Sequence, residues 1–194
     1  VIRTLNALAG DNAIITTEVG QHQMWTAQFY DFTHPRSFAS SGGLVTMGYG
    51  LGAAIGSKVG NPDKYVINIA GDGSFFMNCN ELSTLAKHGI PVIELVFTNN
   101  VLGMVRQWQR IFYGKRFSQT DIDRGTDMMK LAEAFGIEGV RITKKDEIET
   151  GLKKALDCGR PCLVECVIDK DVNVLPMVAP GGDVLDPIME ISLD

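Results

Sequence analysis

The stretch AGDGSFFMNCNEL, residues 70–82, places Asp72 between Gly71 and Gly73. Glycines let a backbone approach a ligand closely, and free N–H groups at a helix N-terminus attract phosphate. Asp72 is a carboxylate that could hold a divalent cation at the same place. The motif alone is also typical of a plain turn between a strand and a helix, so by itself it identifies no site.

A second polar pair follows the next strand-like segment. VIELVF ends in TNNVLGM, so Asn99 emerges from what we expect to be a neighbouring strand. Two asparagines alone are more typical of a turn than of a ligand site. One carboxylate, one amide oxygen and a main-chain carbonyl at the same sheet edge form a sparse oxygen set that suits Mg²⁺ completed by ligand phosphates and water. The pairing therefore favours a magnesium and phosphate site over two unrelated turns.

The elements that must position these residues alternate along the chain. Strand-like runs such as KYVINIA and PCLVECVI are nearly continuously apolar. They alternate with helix-like segments such as NELSTLAKHGI and TMGYGLGAAIGSKVG, the latter predicting a helix over residues 46–60. This pattern predicts an α/β domain with a doubly wound, mostly parallel sheet and helices on both faces. Such sheets bind ligands outside the carboxyl ends of their strands. GDG sits at such an end, and we expect Ser74 to begin the helix after it.

Composition limits the classes of function. The chain has 194 residues and a net charge of −5, which argues against a general nucleic-acid binder. No apolar run approaches the length of a membrane span, and no secretory signal is visible. We interpret the four cysteines as reduced thiols of a cytoplasmic protein, with Cys162 and Cys166 on one buried strand face. Without a C-x-x-C pair or a nearby histidine, a zinc site is not expected.

Residues 71–100 resemble the thiamine-diphosphate motif of the family that includes pyruvate decarboxylase, pyruvate oxidase and acetolactate synthase. Three further stretches are similar to the catalytic large subunits of acetolactate (acetohydroxyacid) synthases: GQHQMW, SGGLVTMGYGLGAAIG and LGMVRQWQRIFYGKRFSQT. The resemblance covers nearly the whole chain. It implies a thiamine-diphosphate-binding C-terminal domain.

The resemblance implies roles at the metal and phosphate end of the cofactor. Mg²⁺ would be held by Asp72, Asn99 and the main-chain oxygen of Val101, with Asn100 as the competing choice for the amide ligand. The diphosphate would contact Gly71, Gly73, Ser74, Gln21 and His22. For His22, a structural histidine at a helix start is an equal alternative.

Other roles concern the cofactor's rings and the substrate. The main-chain oxygen of Val45, where the family usually has glycine, would face the cofactor's amino group. Met47 would wedge between the two rings and force a bent shape, although its spacing also suits a core residue. Leu102, Gly103 and Met104 would line the loop over the diphosphate and thiazolium. Trp108 would favour the larger second substrate, although a lone tryptophan on an amphipathic helix is usually a core residue.

The resemblance also implies an organisation and an activity. We expect residues 1–178 to form the cofactor domain, residues 179–194 to be a tail of that domain, and the chain to be a fragment of a three-domain enzyme. The whole enzyme would decarboxylate pyruvate and join the two-carbon unit to a second 2-oxo acid, pyruvate or 2-oxobutyrate, in branched-chain amino-acid biosynthesis. FAD and the activating glutamate would belong to other domains, so no catalytic residue is expected within this chain.

Partners and alternatives remain at this stage. We expect a homodimer or larger assembly, with a small regulatory subunit as a further candidate partner and neither nucleic acid nor membrane. One alternative is another thiamine-diphosphate-dependent decarboxylase or oxidase. The other is a non-catalytic module that binds cofactor and dimerises.

Overall fold

Six strands form one sheet in the computed structural model, which describes residues 1–191. The strands, in chain order, are β1 (Ala13–Thr17), β2 (Phe38–Ser40), β3 (Tyr65–Gly71), β4 (Val92–Thr98), β5 (Glu138–Ile142) and β6 (Cys162–Val167). Their spatial order is β2-β1-β3-β4-β6-β5, and every pairing of neighbours is parallel. The predicted parallel sheet is confirmed, and the described strands are parallel throughout rather than mostly parallel.

Helices cover both faces of the sheet, as the doubly wound prediction requires. They are α1 (Ile2–Ala9), α2 (Gln21–Phe29), α3 (Gly50–Gly60), α4 (Asp72–Phe75), α5 (Leu82–His88), α6 (Gly103–Phe112), α7 (Met128–Phe135) and α8 (Ile148–Asp157). Side chains of α1, α2 and α8 join one core with the strands, and those of α3, α5 and α7 join the other. None of the helices within residues 1–191 has the length and apolar character needed to cross a membrane.

The sheet has a switch point between β1 and β3. From β1 the chain runs to β2 on one side, and from β3 it runs to β4 on the other. Connections that diverge in this way leave a crevice at the carboxyl ends of the two strands, which is where open α/β sheets bind ligands. Both GDG and the segment after Thr17 lie at this crevice.

Two helix starts differ from the sequence prediction. The short helix α4 begins at Asp72, not at Ser74, because β3 continues through Gly71. The helix expected over residues 46–60 begins only at Gly50. Gly48 adopts φ +89°, a left-handed conformation that interrupts the helix and leaves residues 46–49 as a turn.

The predicted tail contacts the rest of the domain. Met177 and Ile188 form an antiparallel bridge with N–H to oxygen distances of 3.1 and 2.7 Å, so the chain folds back across the expected boundary at residue 178. Residues 192–194 of the predicted tail lie outside the described residues. The division itself stays a prediction.

All four cysteines are free thiols, as expected. Cys162 and Cys166 share one buried core, and burial raises the pKa of each thiol to about 12. They are therefore packing residues rather than nucleophiles at neutral pH.

Candidate functional site

A cleft opens at the switch point, with a volume of about 740 Å³ including its open mouth. Its walls come from the segments after β1, β3 and β4, the turn before α3, and the start of α6. Thirteen of the fourteen residues predicted to hold cofactor, metal or substrate line it: Gln21, His22, Val45, Met47, Gly71, Asp72, Gly73, Ser74, Asn99, Val101, Leu102, Gly103 and Met104. Trp108 lines a neighbouring cleft.

Asp72 is the buried carboxylate of this cleft. Its Oδ1 accepts from Gly73 N at 2.8 Å, and its Oδ2 accepts from the main-chain N–H groups of Asn99 (3.1 Å) and Asn100 (2.7 Å). Burial raises the pKa of Asp72, while these N–H groups and the charge of Arg124 lower it. A desolvated carboxylate of this kind is stabilised by a cation placed beside it. The three N–H groups fix the direction in which the carboxylate points.

The two asparagines face different ways. Asn99 lines the main cleft, and its Oδ1 accepts from Val101 N at 3.2 Å, which leaves that oxygen a second lone pair. Asn100 adopts φ +59° and lines a small separate pocket behind Asp72. Of the two choices for the amide ligand, the geometry favours Asn99.

Val101 presents its main-chain oxygen by strand pairing. It forms an antiparallel bridge with Asp121, through Leu102 N to Thr120 O at 2.8 Å and Ile122 N to Asn100 O at 2.9 Å. Val101 and Asp121 thus form a non-hydrogen-bonded antiparallel pair. In such a pair, each of the two facing residues directs its own N–H and C=O away from the other strand. The carbonyl of Val101 is thus free on the side opposite Asp121, as a metal ligand would require.

His22 shows that the cleft fits an anionic ligand. It is 4% exposed, and its Nε2 has no hydrogen-bond partner among the described residues. Desolvation lowers the pKa of His22 to about 3, against the opposing effect of a hydrogen bond with the main-chain oxygen of Glu18. A buried polar atom without a partner is costly. The negative charge of a bound phosphate would favour the protonated imidazolium, which donates from both ring nitrogens, and a phosphate oxygen accepting from Nε2–H would then remove that cost.

Three glycines keep the floor of the cleft open. A Cβ on Gly71 would lie 2.8 Å from His22 Nδ1, and one on Gly73 would lie 2.8 Å from Leu102 Cδ2. A Cβ on Gly103 would overlap Gln21 Oε1. Side chains at these positions would force the surrounding wall side chains to shift, so glycine lets the walls lie close to the backbone here.

Two predicted phosphate contacts are already bonded to protein. Gln21 Nε2 donates to Gln107 Oε1 at 2.8 Å and to Val172 O at 2.9 Å, which uses both amide hydrogens. Ser74 Oγ donates to Gly71 O at 3.1 Å. In this geometry Gln21 joins elements around the cleft rather than offering a donor to it, and its phosphate role stays a prediction.

Val45 and Met47 form the wall next to α3. Met47 Cε lies 3.8 Å from the position of a Cβ on Gly73, so its side chain reaches across the floor. Val45 is β-branched yet adopts φ +54°, and its side chain is half exposed. This backbone conformation is strained for a β-branched residue. Among the described non-glycine residues with positive φ, Val45 is the only β-branched one.

Trp108 lies on α6, outside the main cleft. It is 38% exposed and packs edge-on against Phe112 with ring centroids 5.4 Å apart. Met104 and Val105 line both its cleft and the main one. Trp108 is therefore not a core residue, and its predicted contact with substrate remains a prediction.

Two residues that shape the cleft were missed. The Glu18 carboxylate, 1% exposed, accepts from main-chain N–H groups at the start of α3. Gln107, the buried residue of α6, bonds to Gln21 and to the C-terminal segment. In the sequence, the only sign of a role for Glu18 is that an acidic residue directly follows a β-branched strand. Nothing in GMVRQWQR distinguishes Gln107, which is buried, from Gln109.

Comparison with known proteins gives a consistent result. The sequence model described as "Thiamine pyrophosphate enzyme, C-terminal TPP binding domain" matches residues 18–166. The chain is 46% identical to the probable acetolactate synthase large subunit of Methanococcus aeolicus, over 98% of this chain and 33% of that protein. It is 48% identical to the mitochondrial acetolactate synthase catalytic subunit of Saccharomyces cerevisiae (99% and 28%) and 44% identical to the isozyme 2 large subunit of Escherichia coli (93% and 33%).

The chain thus spans about a third of the length of the curated relatives it matches. The matched region contains Asp72, Asn99 and all the segments that form the cleft except residues beyond 166. The chain belongs to the family of C-terminal, thiamine-pyrophosphate-binding domains of thiamine-pyrophosphate enzymes.

Proposed function

We propose that this chain binds thiamine diphosphate through Mg²⁺ held by Asp72, the side chain of Asn99 and the main-chain oxygen of Val101. The observation that supports this most is the buried Asp72 carboxylate, fixed by three N–H groups at the switch point of the sheet. Carboxylate, amide and carbonyl oxygens are the ligands of a hard cation that keeps several sites for water and phosphate.

The residues around the metal have separate tasks. The charge of the diphosphate would favour protonated His22, which would donate to it from Nε2. The open backbone at Gly71 and Gly73 would let the phosphates approach. Met47 and Leu102 supply the apolar wall that orients the rings and keeps water out. When bound, thiamine diphosphate supplies an electron sink for the carbanion left by decarboxylation.

Calorimetry with a matched pair of variants tests the metal site. Asp72→Asn keeps the size of the side chain and removes its charge, while Asp121→Asn makes the same change at an exposed residue of the adjoining segment. We expect Asp72→Asn to weaken Mg²⁺-dependent binding of thiamine diphosphate at least about 100-fold and Asp121→Asn to change it little. Equal affinities in Asp72→Asn and the unsubstituted chain would refute the assignment.

For the whole protein we propose acetolactate synthase activity, since relatives from archaea, yeast and bacteria carry that name. It would join the two-carbon unit of pyruvate to pyruvate or 2-oxobutyrate, with the second substrate beside Met104 and Trp108. FAD, the small regulatory subunit and the homo-oligomer belong to the same proposal. The cytoplasmic location also stays a proposal, because relatives include proteins described as mitochondrial and chloroplastic.

Product analysis of the whole protein with pyruvate alone separates this activity from its alternative. Acetolactate supports the proposal, whereas acetaldehyde or acetyl phosphate would assign a decarboxylase or an oxidase.

The isolated chain is proposed to bind cofactor without turnover. Among the described residues that line the cleft, only His22 and Asp72 are titratable. In the proposed complex His22 donates to the diphosphate and Asp72 binds the metal, so neither is left to activate the cofactor. The group that activates the cofactor's pyrimidine ring would come from another domain. An assay of this chain with cofactor and pyruvate should give no acetolactate, and robust turnover would contradict the proposal.

A further inference from the structure

Glu18 bonds to the turn that carries Met47. The residue follows β1 directly and its side chain is buried. One carboxylate accepts three main-chain hydrogen bonds, from Gly48 N at 2.6 Å, Gly50 N at 2.8 Å and Leu51 N at 3.2 Å. A buried carboxylate is tolerated only when its oxygens are satisfied in this way.

These bonds complete the N-terminus of α3. The N-cap residue Tyr49 provides no side-chain hydrogen bond, so the first N–H groups of the helix have no local acceptor. Glu18 supplies both the acceptor oxygens and a negative charge at the positive end of the helix dipole. The cap thus comes from a different element, 32 residues earlier in the chain than Gly50.

The position of Met47 depends on this attachment. Gly48 adopts φ +89°, donates to Glu18, and accepts at its oxygen from Asn78 Nδ2 at 3.2 Å. Met47 precedes it and reaches over Gly73. Release of the Gly48 N–H would leave Gly48 held only through its own oxygen.

The wall of the cleft that contains His22 interacts with the main chain of Glu18, not with its side chain. The main-chain oxygen of Glu18 is hydrogen-bonded to the His22 ring, at the predicted diphosphate end of the cleft. A substitution of the Glu18 side chain leaves this main-chain bond in place. The wall that faces the rings can therefore be disturbed while the phosphate wall is kept.

We propose that Glu18 is a positioning residue that sets the placement of Met47 against the rings of the bound cofactor. The inference rests on the proposed binding of thiamine diphosphate. It predicts selective loss: contacts with the rings weaken when the carboxylate is removed, and contacts with the diphosphate do not.

The test compares two ligands, thiamine diphosphate and inorganic pyrophosphate, each titrated with Mg²⁺ into this chain. Glu18→Gln replaces one acceptor oxygen with an NH₂ group that faces other donors. We expect its affinity for thiamine diphosphate to fall about 10- to 100-fold, as for residues that orient ligands, and its affinity for pyrophosphate to stay unchanged. Equal losses for both ligands, or no loss for either, would overturn the inference.

Glu165→Gln is the matched control. Glu165 is a buried carboxylate on β6 that accepts from Arg141 Nε at 2.6 Å, and neither residue contacts the turn. The same substitution there should leave both affinities unchanged. If Glu165→Gln reproduces the selective loss of Glu18→Gln, the effect is common to buried carboxylates and the inference fails.

A second measurement is independent of cofactor. Hydrogen exchange in the ligand-free chain should show protected amides at Gly48, Gly50 and Leu51, and exchange at least about 10-fold faster in Glu18→Gln. Unchanged exchange would overturn the placement of Glu18 even if the chain bound no cofactor. Conversely, a chain that binds neither ligand while exchange responds as expected would refute the proposed function alone.

Glu18→Asp covers the case in which Glu18→Gln does not fold. It keeps the charge but shortens the reach by one methylene, so its affinity for thiamine diphosphate should lie between those of the unsubstituted chain and Glu18→Gln. An affinity equal to that of the unsubstituted chain would show that the reach of the carboxylate is irrelevant and would contradict the inference.

Discussion

Gln21 and Gln107 are joined by a hydrogen bond of 2.8 Å between their side-chain amides, although 86 residues separate them. Gln107 continues the network, with its Nε2 donating to Val174 O at 2.9 Å and its Oε1 accepting from Val174 N at 2.8 Å. Both side chains are buried. The start of α2, the middle of α6 and the C-terminal segment are therefore held together by amide groups that have no water to replace a lost partner.

Gln107→Ala should lower the free energy of unfolding by about 2–4 kcal/mol, because it leaves buried donors and acceptors of Gln21 and Val174 without partners. Urea denaturation measures the change. Gln109→Ala is the control on the same helix, since Gln109 bonds to the exposed Ser118 and should cost less than about 1 kcal/mol. Similar costs for the two variants would contradict the importance of the buried network.

Asn99→Ala and Asn100→Ala should separate metal binding from backbone conformation. We expect Asn99→Ala to weaken Mg²⁺-dependent cofactor binding at least about 10-fold. Asn100→Ala should keep that affinity and instead lose about 1 kcal/mol of stability, because alanine is unfavourable at φ +59°. Asn100→Gly, which suits this conformation, should retain both properties. A larger loss of metal affinity in Asn100→Ala than in Asn99→Ala would reverse the ligand assignment.

His22 should make the chain sensitive to acid. Its pKa is about 3 in the folded chain and 6.5 in the unfolded chain, so between these values the unfolded state binds more protons. The free energy of unfolding contributed by His22 therefore falls as the pH is lowered through this window, by up to about 1.4 kcal/mol per pH unit. Urea denaturation at about pH 5 and about pH 7 should show a smaller pH dependence in His22→Gln than in the unsubstituted chain.

The raised pKa values of Glu18, Asp72 and Glu94 act in the opposite direction, but they are common to both proteins and cancel in this comparison. His88→Gln, at an exposed histidine of α5, should leave the pH dependence as it is. If His88→Gln reduced the pH dependence of the free energy of unfolding as much as His22→Gln, the effect could not be attributed to the burial of His22.

Val45→Gly should raise the free energy of unfolding by up to about 1 kcal/mol, because relief of the strain at φ +54° exceeds the added entropy of a glycine in the unfolded chain. Leu44→Gly provides the contrast. Leu44 is 92% exposed and lies outside the positive-φ residues, so glycine there should destabilise by about 0.5–1 kcal/mol. Thermal denaturation of both variants decides whether Val45 is strained, and destabilisation of equal size would show that it is not.

Much of the fold was predictable because burial leaves a direct mark on sequence. The strands that carry Asp72 and Asn99 are central in a parallel sheet, so nearly every residue in them is apolar and their ends are visible as polar breaks. Their adjacency follows from one short crossover. The start of α3 was less predictable, since the residue that caps it, Glu18, directly follows β1 and lies 32 residues before Gly50 in the chain. The role of Gln107 was not predictable from the sequence, because its hydrogen-bond partners are distant in the chain and α6 contains a second glutamine, Gln109, nearby.

The two ends of the cleft also differ in chain topology. The bond between Asp72 and Asn99 closes a loop of 27 residues, whereas the bond between Gln21 and Val172 spans 151 residues. For a flexible chain the longer closure costs about 1.5 kcal/mol more in entropy. The end of the cleft at Asp72 therefore depends on nearby sequence and can form early in folding, while the wall at the start of α2 has to wait until the C-terminal segment has arrived.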